Sequence, residues 1–327
     1  MSIEDITERT GYRGVDVGQQ LAGAEEPDDS VGQKSSPRVR FLKNEAAPSA
    51  PRMVLGKELR RRREAVGLQQ KEVSWRLGWS LSKTSRIESG QVKVKEQDLL
   101  AFFSLYEMND ASEQQPFREL VQITSRPMWW KPWSGIAPRY LQAVVSFEDM
   151  AWRIRSYEPL YLHGLLQTPE YARALIERGR GPRSQHTALA QLRSERQAKF
   201  AESPGKELLC VIDEAAVRRT VGNAEIMRRQ VEHLIDLGED GRFQLRLAEL
   251  NRPNLPLELG PTTIFEFAET LLPTIAYSEN FDGGLVIQDM DSVDRRVRTF
   301  DVLRARSLTQ GKTTQKLRDL LASGYYR

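Results

Sequence analysis

The sequence predicts two folded units, an all-α domain followed by a larger α+β domain, and three observations carry that reading. First, 327 residues with 39% hydrophobic content supply two cores at about 100–200 residues per domain. Second, between Val54 and Tyr106 the apolar residues fall three and four apart, as in Leu55 and Leu59, Val73 and Leu77, Thr84 and Ile87, the spacing of short helices sharing one core. Third, beyond residue 141 helical periodicity alternates with short apolar runs that read as strands.

Taken in order, residues 1–51 are rich in Gly, Ser, Pro, Gln and Asp and carry six basic against nine acidic residues. They read as a flexible or disordered tail with no basic arm for a nucleic-acid groove. Met53 is an alternative start, since organised sequence begins there. Residues 52–108 form the small helical domain. Residues 109–140 read as a connector: its first part can start a helix, while Pro127, Pro132, Gly135 and Pro138 break the rest. Its Trp129, Trp130 and Trp133 are read as packing against the larger domain rather than as a stacking platform. Within 141–327, helices are expected over 144–157, 169–178, 188–201, 214–220, 225–237, 292–307 and 312–321. Strands are expected over 208–212, 243–248, 262–267, 274–278 and 285–287, with a turn at Asp282, Gly283 and Gly284 before the last.

Charge narrows the function. The 48 Lys and Arg against 45 Asp and Glu leave only +3, which excludes a uniformly basic nucleic-acid coat protein. From Arg52 to Tyr106, however, twelve basic residues face six acidic ones, so the positive excess lies in one compact helical segment, the footprint of a nucleic-acid contact. Cys210 is the single cysteine, which excludes a disulfide framework or multi-cysteine zinc site and fits a reducing compartment. No apolar run reaches the roughly 18 residues of a membrane span and no signal-peptide core opens the chain, so a cytoplasmic protein, nucleoid-associated when bound to DNA, is expected.

Inside the basic segment, a first helix stops at Ala65, Val66 and Gly67, a second runs over 69–76, Gly78 permits a sharp turn, and Ser80 caps a third helix. That is a helix-turn-helix, whose second paired helix enters the major groove. With Thr84 and Ile87 inward, Leu81, Ser82 and Arg86 face outward as base contacts: Arg86 with the fork for guanine, Ser82 for any base edge, Leu81 for a thymine methyl. Lys83, Lys93 and Lys95 are expected on phosphates, as is Gln70 at the start of the second helix. The run Arg60, Arg61, Arg62 and Arg63 is either a solvated face or an electrostatic aid.

The stretch LQQKEVSWRLGWSLSKTSRIESG resembles the Cro/cI-type (XRE) helix-turn-helix family, with Gln70, Gly78, Ser80, Ile87, Glu88 and Gly90 on its signature positions. That resemblance implies a lambda-repressor-like fold, base-facing roles for Leu81, Ser82 and Arg86, and a structural role for Glu88. Trp75, where a smaller or charged residue is usual, departs from it. Further on, YEPLYLHGLLQTPEYARALI, RSERQAKF, VIDEAAVRRTVGN and IMRRQVEHL are similar to the C-terminal domain of an actinobacterial group of XRE regulators, the WhiJ-like, antitoxin-like proteins. This implies a DNA-binding regulator often encoded beside a small partner protein. His163 stands where that group has Pro, and RLAELNRPNLPLELG lacks its Pro-Phe.

His163, His186 and His233 are widely separated and form no metal or triad spacing, Asp213 and Glu214 read as a helix cap, and no phosphate-cradling Gly-Lys loop occurs. Neither catalysis nor a cofactor or metal is expected. A groove for a small molecule or partner peptide is expected around Tyr157, Leu165, Gln167 and Tyr171. The expectation is a sequence-specific transcription regulator that binds double-stranded DNA as a homodimer, its larger domain serving partner binding, sensing or dimerisation. The alternative is an antitoxin-like module that restrains a small protein encoded next door, with autoregulatory DNA binding.

Overall fold

The computed structural model describes residues 39–42, 50–125, 128–179, 182–253, 255–268, 273–280 and 283–327. Most of the tail read at 1–51, and Asp282 of the expected turn, lie outside the described residues. An all-α N-terminal domain is followed by an α+β domain built on a mixed sheet.

The chain enters with a short strand β1 (Val39–Leu42), then α1 (Ala50–Ala65), α2 (Gln70–Arg76), α3 (Leu81–Glu88), α4 (Glu96–Leu105) and α5 (Ala111–Ser125). The small domain closes because each helix commits an apolar stripe to one core, with Leu55 and Leu59 from α1, Val73 from α2, Ile87 from α3, Leu99 and Phe102 from α4. Phe117, Leu120 and Val121 of α5 complete it. The expected connector therefore divides: its first half is a helix of the small domain, α5, and the described residues from 128 onward belong to the link. There Trp130 is buried, while Trp129 donates to Asp149 at 3.2 Å and Trp133 to Glu195 at 2.8 Å, so the tryptophans do anchor the link to the larger domain.

The larger domain runs α6 (Arg139–Met150), β2 (Ala151–Glu158), α7 (Pro169–Glu177), α8 (Arg183–Glu202), β3 (Glu207–Asp213), α9 (Glu214–Arg218), α10 (Ala224–Leu237), β4 (Phe243–Ala248), β5 (Thr262–Phe267), β6 (Ile275–Asn280), β7 (Gly283–Ile287), α11 (Met290–Arg306) and α12 (Gln310–Ala322). Strand order is β1-β7-β6-β5-β2-β3-β4. Strands β2, β3 and β4 run parallel, and every other neighbour pair is antiparallel. The edge strand β1 comes from the segment read as tail, where Val39 pairs with Ile287.

One expected helix is corrected. Residues 144–157 split into the end of α6 and the strand β2, which lies between β5 and β3 at the junction of the parallel and antiparallel halves. A single sequence of AWRIRSYE carries enough apolar residues to suit either period, and pairing on both sides decides for the strand. Alternate residues then separate. Ile154 joins the layer with Leu208, Phe265 and Tyr171, and Tyr157 joins the opposite layer with Val211, Ile264 and Phe300 of α11.

Helices cross-link through buried polar groups. Arg196 of α8 reaches Glu148 of α6 with Nε–Oε2 at 2.9 Å and Nη2–Oε1 at 2.5 Å, both side chains buried. The pair fixes α8 against α6. Removing one partner strands a buried charge, so Arg196→Ala should lower unfolding free energy by about 3–5 kcal/mol in urea titrations. His163 is buried, its Nδ1 accepting from the Leu165 N–H at 3.3 Å, and burial drops its pKa from 6.5 to about 4. Above pH 6.5 both states are neutral there. Between 6.5 and 4 only the unfolded chain gains the proton, so stability drains at about 1.4 kcal/mol per pH unit. A His163→Gln chain should lose correspondingly less stability over that interval.

Candidate nucleic-acid interface

Backbone geometry sets the three helices that form the surface. Gly67 adopts φ +71° past the end of α1, letting the Leu68 N–H close onto Arg63 O at 3.1 Å. Gly78 does the same after α2 at φ +64°, where the Trp79 N–H reaches Ser74 O at 2.8 Å. Ser80 then caps α3, its hydroxyl accepting from the Lys83 N–H at 3.1 Å. Ser74 and Thr84 share a buried hydrogen bond at 2.7 Å between their hydroxyls, tying α2 to α3 at their crossing.

A buried carboxylate organises the three helices. Glu88, at the end of α3, meets Arg63 of α1 at Nε–Oε1 2.6 Å and Nη2–Oε2 3.2 Å, and accepts from Gln70 Nε2 of α2 at 2.7 Å. Arg63 also donates to Leu68 O at 2.6 Å. Both members of the ion pair are buried. Gln70, expected to grip a phosphate, therefore has its side-chain amide engaged inside the domain, which corrects that expectation and supports the structural reading of Glu88.

Gly56 was not singled out in the sequence. A Cβ there would sit 2.4 Å from Ile87 O and 2.5 Å from Glu88 O, so α1 and α3 approach each other through a missing side chain. Its signal was present: a glycine in a helix interior needs a packing reason to offset its conformational entropy.

What remains outward on α3 is the set Leu81, Ser82, Ser85 and Arg86. Leu81 is 55% exposed, an apolar side chain with no core to fill. Thr84 and Ile87 are buried, as their spacing predicted. Lys83 is corrected: its ammonium lies 2.7 Å from Asp98 Oδ1 of α4 and 3.6 Å from the Trp79 ring centroid, so it fastens α3 to α4. Lys93 and Lys95 stand exposed in the loop before α4. The run of four arginines is largely neutralised within the domain, Arg60 by Glu64, Arg61 by Glu58, Arg62 by Glu113 and Arg63 by Glu88. Trp75 on α2 is 83% exposed, extending the surface beside α3.

The groove expected in the larger domain is not formed. Tyr157 lies on one side of the sheet, bonding Asp213 at 2.9 Å, whereas Leu165 and Tyr171 lie in the layer on the other. Gln167 is an internal staple, donating to Leu162 O at 2.6 Å and accepting from Arg193. Tyr171 is fully buried, its hydroxyl accepting from the Leu162 N–H at 3.3 Å. Interleaved polar and aromatic residues here fasten a loop. Asp213 caps α9 by accepting from the Ala215 N–H at 2.9 Å, and Glu214 is held by Arg218 and the Leu250 N–H. Among the described residues no group of three or more His, Cys, Asp or Glu is placed to hold a metal ion, and no helix is long and apolar enough to cross a membrane.

Residues 54–115 match the model of a helix-turn-helix domain, and residues 141–319 match the family described as Domain of unknown function (DUF5753). No curated protein and no solved structure matches the chain.

Two substitutions test how this surface is held. Gly56→Ala forces backbone apart where no flexible side chain can yield, and should destabilise the fold by about 3 kcal/mol, the upper range for overpacking. Glu88→Ala strands Arg63 and should cost about 3–5 kcal/mol. Urea unfolding followed by circular dichroism measures both.

Proposed function

We propose that this chain, which belongs to the family described as Domain of unknown function (DUF5753) and carries a helix-turn-helix domain ahead of the matched region, is a sequence-specific DNA-binding regulator of transcription. The observation that supports the reading most is the outer face of α3. Leu81, Ser82 and Arg86 stand exposed on a helix whose opposite side is locked into the core, the arrangement needed to present base-reading side chains from a rigid element. Arg86 makes no side-chain bond among the described residues, so its fork is available for O6 and N7 of a guanine. Lys93 and Lys95 supply the sequence-independent grip on phosphates.

In this reading the chain is a Cro/cI-type regulator, cytoplasmic, without catalysis. One reading helix covers a few base pairs, so two copies on half-sites about 34 Å apart restore selectivity. The larger domain serves that pairing, or senses or binds a partner.

Selection of duplexes from a random pool by the full chain tests the proposal. Enrichment of a two-fold related motif supports it, and a pool that stays random overturns it. On the enriched duplex, Arg86→Ala should cost about 1–3 kcal/mol and relax preference at one position. Lys93→Ala should weaken all duplexes alike and reduce the salt slope by about one. Anisotropy titrations at several salt concentrations read both.

A further inference from the structure

Helix α1 serves two cores at once. Leu55 and Leu59 face the core of the small domain, whereas Met53, 5% exposed, belongs to the core of the larger one with Ala143, Val144 and Phe147 of α6, a helix that α1 packs against. Lys57, one turn on and on the same stripe, donates to Gln288 O at 3.4 Å between β7 and α11. In the other direction, Met150 of α6 and Phe267 of β5 pack against both cores. The two domains therefore share apolar side chains at this seam.

The reading helix is tied to the same turn of α1. Gly90 turns the chain after α3 at φ +70°, and a Cβ on it would stand 2.7 Å from both Cα and N of Met53. A Cβ on Gly56 would likewise meet Ile87 O and Glu88 O. Backbone lies on backbone at both crossings, and neither leaves room to slide. The end of α3 thus rests on the residue whose side chain the larger domain holds. A second tether follows α5, which ends at Ser125. Trp129 already bonds Asp149 of α6 and Trp130 is buried, so the link has little slack.

Domains joined by chain alone move relative to one another, and a large apolar contact is what restrains them. We propose that Met53 is a positioning residue for DNA reading: by seating α1 in the larger domain it makes the two domains one rigid body, so that pairing of two larger domains dictates the distance and phase between their reading helices. The inference rests on the proposed DNA reading by α3 and adds a source of specificity to it. Arg86 discriminates within a half-site, and the seam at Met53 discriminates the spacing between half-sites. A small domain on a free tether reaches half-sites at several spacings, whereas a fixed one accepts the spacing that its pairing sets.

Two measurements separate the seam from the reading. The first needs no DNA. Because Cys210 is buried, nitroxide labels can be placed on Ser104→Cys of α4 and Ala305→Cys of α11, both exposed positions, in full-length chains diluted into unlabelled ones. The distance distribution should be narrow with Met53 in place and broad in Met53→Ala and Met150→Ser. If Met53→Ala unfolds, Met150→Ser, at a partly buried position, carries the test.

The second measurement uses the duplex enriched from the random pool, with about five base pairs inserted to turn one half-site by about half a helical turn. The wild-type chain should bind it about tenfold or more weakly than the parent duplex, and the two variants less than about threefold more weakly, with preference at the Arg86 position unchanged. A broad distribution in the wild-type background, or variants that keep its narrow distribution or its spacing penalty, overturns the inference and leaves the DNA reading standing. A pool that stays random overturns both.

Discussion

The geometry of the small domain depends on one buried carboxylate. Glu88 ends α3 and is gripped by Arg63 of α1 and Gln70 of α2, so a single side chain sets the relative placement of all three helices that shape the outer surface. Apolar packing alone tolerates sliding, because Val73, Ile87 and Leu59 meet neighbours of similar size and dispersion has little direction. Two charge-assisted hydrogen bonds from a planar guanidinium do not tolerate it. The close crossing at Gly56 acts in the same sense: with Ile87 O and Glu88 O where a Cβ would stand, α1 and α3 have one register. Orientation of Arg86 on the outside is thus decided by Glu88, two residues on and facing the inside.

This internal pairing also revises the meaning of the domain's positive charge. Twelve basic residues stand against six acidic ones from Arg52 to Tyr106, but the first helix has its four consecutive arginines tied to glutamates, and Lys83 is tied to Asp98. Charge that remains uncommitted lies on Arg86, on the loop bearing Lys93 and Lys95, and on Lys71 and Arg76 of α2. A smaller, better placed positive surface favours selectivity over general affinity, since paired cations release few counterions.

Much of this was legible in the sequence, for identifiable reasons. Glycines at 67 and 78 and the cap at Ser80 act locally, so their spacing gave the three helices to within a residue or two. Thr84 and Ile87 faced inward as their period required. The side-chain partners were not legible: Lys83 to Asp98 spans fifteen positions and Gln70 to Glu88 eighteen, and no local rule distinguishes a lysine aimed at phosphate from one aimed at an aspartate on the next helix. Residues 151–157 suit a helix as well as a strand because their pattern fits both periods, and only the neighbours β3 and β5 decide. Tyr157 and Tyr171 look adjacent in a chain of mixed polar and aromatic residues, yet the sheet separates them.

The larger domain shows how satisfied and unsatisfied polar groups divide labour within one layer. Gln167, Gln197 and Gln230 each bond backbone carbonyls of residues 162–167, and Thr168 N–H returns a bond to Gln230. Every one of those amides fastens the loop after β2 to α8 or α10. Across the sheet, pairing of β6 with β7 runs through Gly283, and the buried Tyr277 and Ser156 hydroxyls take no part in it. Buried hydroxyls left without a partner cost the fold free energy, and the bonded frame of Gln167, Gln197 and Gln230 around the loop after β2 offsets it.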